Sequence, residues 1–248
     1  MKVIQSIQNE TIKNIDKLKD KKVRNNKQMF VVEGYHLIEE AYKHNKLISI
    51  FSTKEEDFKK YPNVDHYLVT EQIIKKLSTT VNPQNIIGIV NMPKHTPIDL
   101  NKQTLKFLLL DSINDPGNLG SIVRTAAALG YDAIYMSQDT VDIYNEKTLR
   151  ATQGAIFKIP FFYTHLELII TTLKENNILC YGTHLKKSIS LEKIEKVGRF
   201  AVCFGNEARG MSDRITELMD QNIKIEMQND VESLNVLSAS SIVMYYLK

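Results

Sequence analysis

The stretch Asp111–Gly130 reads DSINDPGNLGSIVRTAAALG and follows the apolar run Phe107–Leu110. The run suits a buried strand, and Gly120–Leu129 predicts an Ala-rich helix closed by Gly130. The loop between them carries Asn114, Pro116, Gly117 and Asn118. Strand, glycine-bearing loop and helix together have the outline of a phosphate cradle. The residues fit neither common cradle: no lysine enters the helix, and Gly117, Gly120 and Gly130 lack the dinucleotide spacing. Read locally, the loop is a Pro116-Gly117 turn with Asn118 as helix cap. Arg124 strains that reading. With Val123 and Ala126–Leu129 around it, the helix is expected to be largely buried, and a buried guanidinium needs an anion. A carboxylate elsewhere in the fold and a substrate phosphate both qualify.

Outward from this stretch, apolar runs alternate with helical patterns. Strands are expected at Leu105–Ser112, Asp132–Ser137, Ile178–Thr183, Gly198–Glu207 and Asn222–Met227. Helices are expected at Asn145–Phe157, Leu166–Asn177 and Ser233–Leu247. Continuous apolar strands between helices predict a parallel sheet covered on both faces, with ligands beyond the carboxyl ends of the strands. Besides 111–124, three strand ends carry unusual residues: GTHL (Gly182–Leu185), FGNEARGMSD (Phe204–Asp213) and IEMQNDVESLNVLSAS (Ile225–Ser240). The prolines and polar residues of Asn91–Thr104 mark a seam. A smaller α/β pattern precedes it, opening with a helix that places Ile4, Ile7, Ile12, Ile15 and Leu18 on one face. The expected organisation is a small domain over 1–95, a linker over 96–104 and a larger domain over 105–248.

Hydrophobic residues make up 43% of the 248, enough for a packed core. The net charge of +3 is unevenly spread: Lys13–Lys27 holds seven cations against Asp16 and Asp20, a local +5. A basic run is often a solvated helix face, and it also suits contact with a nucleic-acid backbone. Cys180 and Cys203 lie inside apolar runs and read as buried thiols, with no zinc-ligand pattern, so no metal is expected. No apolar run approaches a membrane span or a signal peptide, and a cytoplasmic location is expected.

In this order, NDPGNLGSIVRTAAALG, FGNEARGMSD and IKIEMQNDVESLNVLSAS resemble the motifs of the SpoU (TrmH-like) branch of the SPOUT RNA methyltransferases. SIQNETIKNIDKLKDKKVRNNKQMFVVEGYHLIEEA resembles the small RNA-binding domain that often precedes that catalytic domain. The resemblance implies a parallel-sheet α/β domain with a deep trefoil knot, a homodimer, S-adenosyl-L-methionine (AdoMet) as cofactor, and methyl transfer to a ribose 2′-hydroxyl of structured RNA. Ribosomal RNA, 23S in particular, is the expected substrate. Carried over by motif, Asn118, Arg124, Glu207, Ser233 and Asn235 fall on catalytic or substrate-facing positions. Gly205, Asn206, Ile225, Met227 and Leu234 fall on cofactor positions, and Thr183 and His184, at the neighbouring strand end, are expected to line the adenosine pocket. Lys17, Lys21, Lys22, Arg24 and Lys27 are the expected RNA contacts. The chain departs from the family where Glu226 replaces a usual proline and where Gln228–Asp230 lacks a usual glycine.

The chemistry requires an oriented ribose, a stabilised oxyanion and a route for the proton. A guanidinium keeps its proton in proteins, so Arg124 is expected to grip a phosphate and stabilise the alkoxide rather than act as base. Two other readings stay open on sequence alone: a non-catalytic RNA-binding or ribosome-assembly factor, and a transfer-RNA 2′-O-methyltransferase. A small-molecule enzyme on the same sheet would leave the basic run unexplained.

Overall fold

The computed structural model describes residues 1–185 and 188–248. The chain forms two compact units, Met1–Lys94 and His95–Lys248. The first contains β1 (Lys2–Ile4), α1 (Glu10–Asp16), α2 (Lys21–Lys27), β2 (Met29–Glu33), α3 (Tyr35–Lys43), β3 (Leu47–Ser52), β4 (Asp65–Val69), α4 (Glu71–Leu77) and β5 (Ile86–Asn91). Its sheet runs β1-β4-β3-β5-β2. The first three strands are parallel, and β5 lies antiparallel to both β3 and β2.

The single opening helix expected from Ile4 to Leu18 is divided. Lys2–Ile4 pairs with Tyr67–Val69 as an edge strand, and the Asn9 side chain starts α1 by accepting from Thr11 N. Ile12, Ile15 and Leu18 pack with Phe51, Ile73, Ile74 and Leu77. Asp20 then caps α2 through Val23 N at 3.0 Å. On α2 the expected RNA contact Arg24 turns inward and is corrected to a structural residue. The residue is 8% exposed, and Nη1 donates to the carbonyls of Leu18 at 3.0 Å and Lys19 at 2.7 Å. These carbonyls end the preceding 3₁₀ turn, so Arg24 supplies donors the backbone lacks. Phe30 is fully buried.

The second unit contains β6 (Leu105–Leu110), α5 (Pro116–Ala128), β7 (Ala133–Met136), α6 (Glu146–Thr152), β8 (Phe161–Tyr163), α7 (Leu166–Glu175), β9 (Leu179–Thr183), β10 (Ile189–Ser190), β11 (Arg199–Phe204), α8 (Asp213–Leu218), β12 (Gln221–Lys224) and α9 (Val236–Leu247). All its strands are parallel, in the order β10-β12-β9-β11-β6-β7-β8. Leu105 and Phe107–Leu110 are wholly buried, as a central strand covered on both faces requires. The segment expected as a linker, 96–104, is tied to this unit. Ile98 and Leu100 pack on its core, and Arg199 Nη2 donates to Leu100 O at 2.9 Å.

Three boundaries shift for local reasons. Helix α5 begins at Pro116, four residues early, because Asp115 rather than Asn118 is its cap: Asp115 Oδ1 accepts from Asn118 N at 2.8 Å. Pro116 sits at the first helical position, where its missing N–H costs nothing. Helix α6 ends at Thr152, where Gln153 and Gly154 take left-handed φ of 48° and 81°. Helix α9 starts after Asn235, whose side chain accepts from Leu237 N at 2.8 Å.

Candidate active site at the carboxyl ends of the second sheet

Strands β6, β11, β9 and β12 end side by side, and the chain beyond them builds a cavity of about 380 Å³. Thr183, His184, Gly205, Asn206, Ile225, Met227 and Leu234, the seven expected cofactor residues, all line it. Phe204, Ile223, Val236 and Val243 add apolar wall that the motifs did not single out. Thr183 Oγ1 donates to Cys203 O at 2.8 Å, joining the ends of β9 and β11.

One wall is a hairpin turn. Asn206 and Gly210 exchange two backbone hydrogen bonds of 2.9 Å, and Asn206 Oδ1 accepts from Ala208 N and Arg209 N. Asn206 Nδ2 donates to Ser112 O at 2.8 Å, tying the turn to the loop after β6. Gly205 is obligatory: a Cβ there would lie 2.0 Å from Met211 N and 2.1 Å from Gly210 C. Ser112 itself holds a left-handed φ of 61°. Its N–H donates to Ser137 Oγ at 2.8 Å and its hydroxyl to Asp139 at 2.6 Å, so several bonds stabilise an unfavourable backbone.

The turn places Glu207 against the start of α5. Its carboxylate accepts from Asn114 N at 3.1 Å, Asp115 N at 3.0 Å and Asn118 Nδ2 at 3.1 Å. Partial burial pushes this carboxyl upward, but the donors from Asp115, Asn118 and Asn114 outweigh it and hold it below its usual range. An anion on the open N–H groups of a helix start is also favoured by the helix dipole. Asp115 lies next to it, its carboxyl lowered by the Asn118 backbone bond and by Lys147, whose Nζ lies 3.1 Å from Oδ2.

The structure therefore joins Glu207 to Asn118 and places Ser233 on the cavity, but it treats two expected catalytic residues differently. Asn235 spends its side-chain oxygen on the α9 cap. Arg124 is exposed rather than buried, and among the described residues no carboxylate or carbonyl holds its guanidinium. The helix buries Ile122, Val123 and Ala126, and Arg124 occupies the outward face between them. Lys17, Lys21, Lys22 and Lys27 are exposed on the first unit. Asp115 and Lys147 escaped the sequence reading, although Asp-Pro at a helix start is a legible cap signal.

A parallel sheet whose strand ends close an apolar cavity, with a carboxylate clamped to the following helix, defines the class. The chain belongs to the SpoU rRNA Methylase family, whose model matches residues 106–245. Residues 9–88 match the MRM3-like substrate binding domain. Over 100% of both chains it is 34% identical to the 23S rRNA (guanosine(2553)-2′-O)-methyltransferase RlmP of Bacillus subtilis. It is 29% identical to an uncharacterised tRNA/rRNA methyltransferase of Synechocystis, over 98% of this chain and 92% of the relative. Among solved structures, an AdoMet-bound rRNA methyltransferase from Sinorhizobium meliloti superimposes with a TM-score of 0.88. That match has 27% identity and covers 99% of this chain and 97% of the other.

Proposed function

We infer that the chain is an AdoMet-dependent RNA ribose-2′-O-methyltransferase and that its substrate is 23S ribosomal RNA. The observation that carries this reading is the convergence of the seven expected cofactor residues on one cavity, in a chain alike over its full length to RlmP. The cavity fits the cofactor in kind: Phe204, Ile223, Ile225, Leu234 and Val236 offer apolar wall for an adenosine. Glu207, Arg209 and Lys224 place charge among the lining residues for a zwitterionic amino acid or a polar substrate. Thr183, Gly205 and the Ile225–Leu234 segment would hold it. When bound, AdoMet supplies the methyl group, carried on a sulfonium, for the ribose 2′-oxygen.

The protein's own part is positioning and electrostatics. Glu207 fixes Asn118 and the first turn of α5, so this edge of the site is set before RNA arrives. Arg124, exposed and uncommitted, grips a substrate phosphate and stabilises the developing alkoxide, and the proton leaves through phosphate or water. Ser233 faces the ribose or cofactor, while Asn235 orients it by capping α9. The exposed lysines 17, 21, 22 and 27 contact RNA backbone. The family's knot and homodimer belong to the same reading, the latter supported by the exposed Ile242 and Tyr245 of α9. No helix of the described residues is long and apolar enough to cross a membrane, in keeping with work on ribosomes in the cytoplasm.

Labelled AdoMet, the purified protein and total RNA from a strain lacking it test the reading. Label entering one ribose of 23S RNA supports it. Label confined to transfer RNA would reassign the substrate, and AdoMet binding with no RNA labelled would return the chain to a non-catalytic role.

A further inference from the structure

The reading above leaves one charge at the cavity unassigned. Among the described residues, three fully charged side chains line it: Glu207, Arg209 and Lys224. Glu207 is committed to the start of α5. Lys224 lies 3.2 Å from Glu226, which neutralises it. Arg209 is exposed, and among the described residues neither an ion pair nor a hydrogen bond holds its guanidinium.

Its backbone, by contrast, is tightly fixed. Arg209 N is bonded to Asn206 Oδ1, Gly210 beside it takes φ of 72°, and Gly205 closes the turn with no room for a side chain. A rigid hairpin that carries Glu207 to one partner and presents an uncommitted cation two residues later is a mount for an anion.

Which anion follows from sidedness. The walls expected to hold the cofactor come from β9, from Gly205 and Asn206, and from Ile225–Leu234. The turn that carries Arg209 is fastened on another side: Asn206 Nδ2 donates to Ser112 O after β6, and Glu207 accepts from Asn114 N, Asp115 N and Asn118 Nδ2 at the start of α5. Arg209 is thus mounted where the cavity meets α5, the helix that carries Asn118 and Arg124.

We propose that Arg209 is a substrate-positioning residue that grips a backbone phosphate of the RNA beside the target ribose. It would act with Arg124 as a second guanidinium, the two fixing the phosphates that flank the reacting sugar. The proposal rests on the methyltransferase reading.

The test uses the full chain, labelled AdoMet and unmodified 23S RNA transcribed in vitro, with Arg209→Gln and Arg209→Lys variants. For Arg209→Gln the expected result is an AdoMet Kd within twofold of wild type and an RNA KM raised about tenfold. Its slope of log affinity against log salt should flatten by about one phosphate contact. Arg209→Lys should recover the salt slope but only part of the KM, since it keeps the charge without the fork. An AdoMet Kd raised tenfold with RNA binding intact would overturn the proposal by assigning Arg209 to the cofactor carboxylate. A Gln variant equal to wild type in every measurement would overturn it as well. If wild type itself neither binds nor methylates any RNA, the methyltransferase reading fails first and takes this one with it.

Discussion

The two units are both sheets with helices, yet they build function in different ways. In the second unit every strand is parallel, so the carboxyl ends converge on one edge and the following loops form a cavity. In the first, β5 alone runs against the other four strands, and the feature proposed to meet RNA is a charged surface. A convergent edge demands exact backbone: Gly205 without a Cβ, Ser112 at positive φ, Glu207 on three donors. A charged surface demands only that the lysines stay in water. Substitutions should therefore be severe and specific in one unit and small and additive in the other.

The largest expected effect is Gly205→Ala. The added Cβ meets backbone at 2.0 and 2.1 Å, where no side chain can yield. The Asn206–Gly210 turn must open, and we expect a loss of ~3 kcal/mol or more in denaturant unfolding together with loss of AdoMet binding. A folded variant that still binds AdoMet at wild-type affinity would show that the convergent edge is looser than its geometry. Next is Glu207→Ala, which frees Asn118 and the start of α5 without touching the apolar wall. Methyl transfer should fall by about 10²-fold with AdoMet affinity nearly unchanged, since misplacement alone costs that much. Parallel losses in both would place Glu207 on the cofactor instead.

Within the first unit the contrast sharpens between neighbours on one helix. Arg24→Ala removes donors from two buried or half-buried carbonyls and should destabilise that unit by about 1–3 kcal/mol. Lys21→Glu with Lys22→Glu should leave unfolding within about 0.5 kcal/mol of wild type while flattening the salt dependence of RNA binding. If Arg24→Ala behaved like the lysine pair, the inward guanidinium would contribute nothing structural.

These neighbours also show what a sequence can carry. The charge run was legible as a run, but period and composition do not reveal that Arg24 serves carbonyls left open where a 3₁₀ turn meets α2. The apolar strands, their parallel arrangement and the strand-end motifs were legible, because burial on both faces demands continuous apolar runs and the motifs sit where those runs stop. Arg124 misled in the opposite direction. Small residues around it suggested burial, whereas only Ala126 of the three alanines is buried and Ala128 is exposed; the close approach of α5 to α6 falls at Gly120, where a Cβ would lie 2.4 Å from Thr148 O. The helix starts at Pro116 through the Asp115 cap, a local Asp-Pro signal that stands ahead of the glycines at 117 and 120.

Smaller is the effect of acid on the clamped carboxylate. Glu207 is held below its usual range in the folded chain, so its stabilising contribution is present above the ordinary carboxyl pKa and disappears as pH falls through the lowered one. Unfolding midpoints measured between about pH 7 and pH 3 should therefore decline less for Glu207→Gln than for wild type. Equal declines would leave the clamp without a thermodynamic role.

The smallest expected effect lies where the chain departs from its family. Glu226 stands at the usual proline position, exposed, with its carboxylate 3.2 Å from Lys224 Nζ. A proline fixes its own φ; an ion pair two residues apart limits the same segment only loosely, and exposed pairs are worth about 0.2–1 kcal/mol at most. Glu226→Gln should thus weaken AdoMet binding by less than about fivefold, and the loss should vanish in high salt, where the wild-type pair is screened too. Glu226→Pro should match or exceed wild-type affinity, because Ile225 and Met227 already line the cavity and need only a stiffer connection. A proline variant that binds poorly would mean that the path of this segment is specific to glutamate, with Lys224 then released toward the cavity as a second free cation beside Arg209.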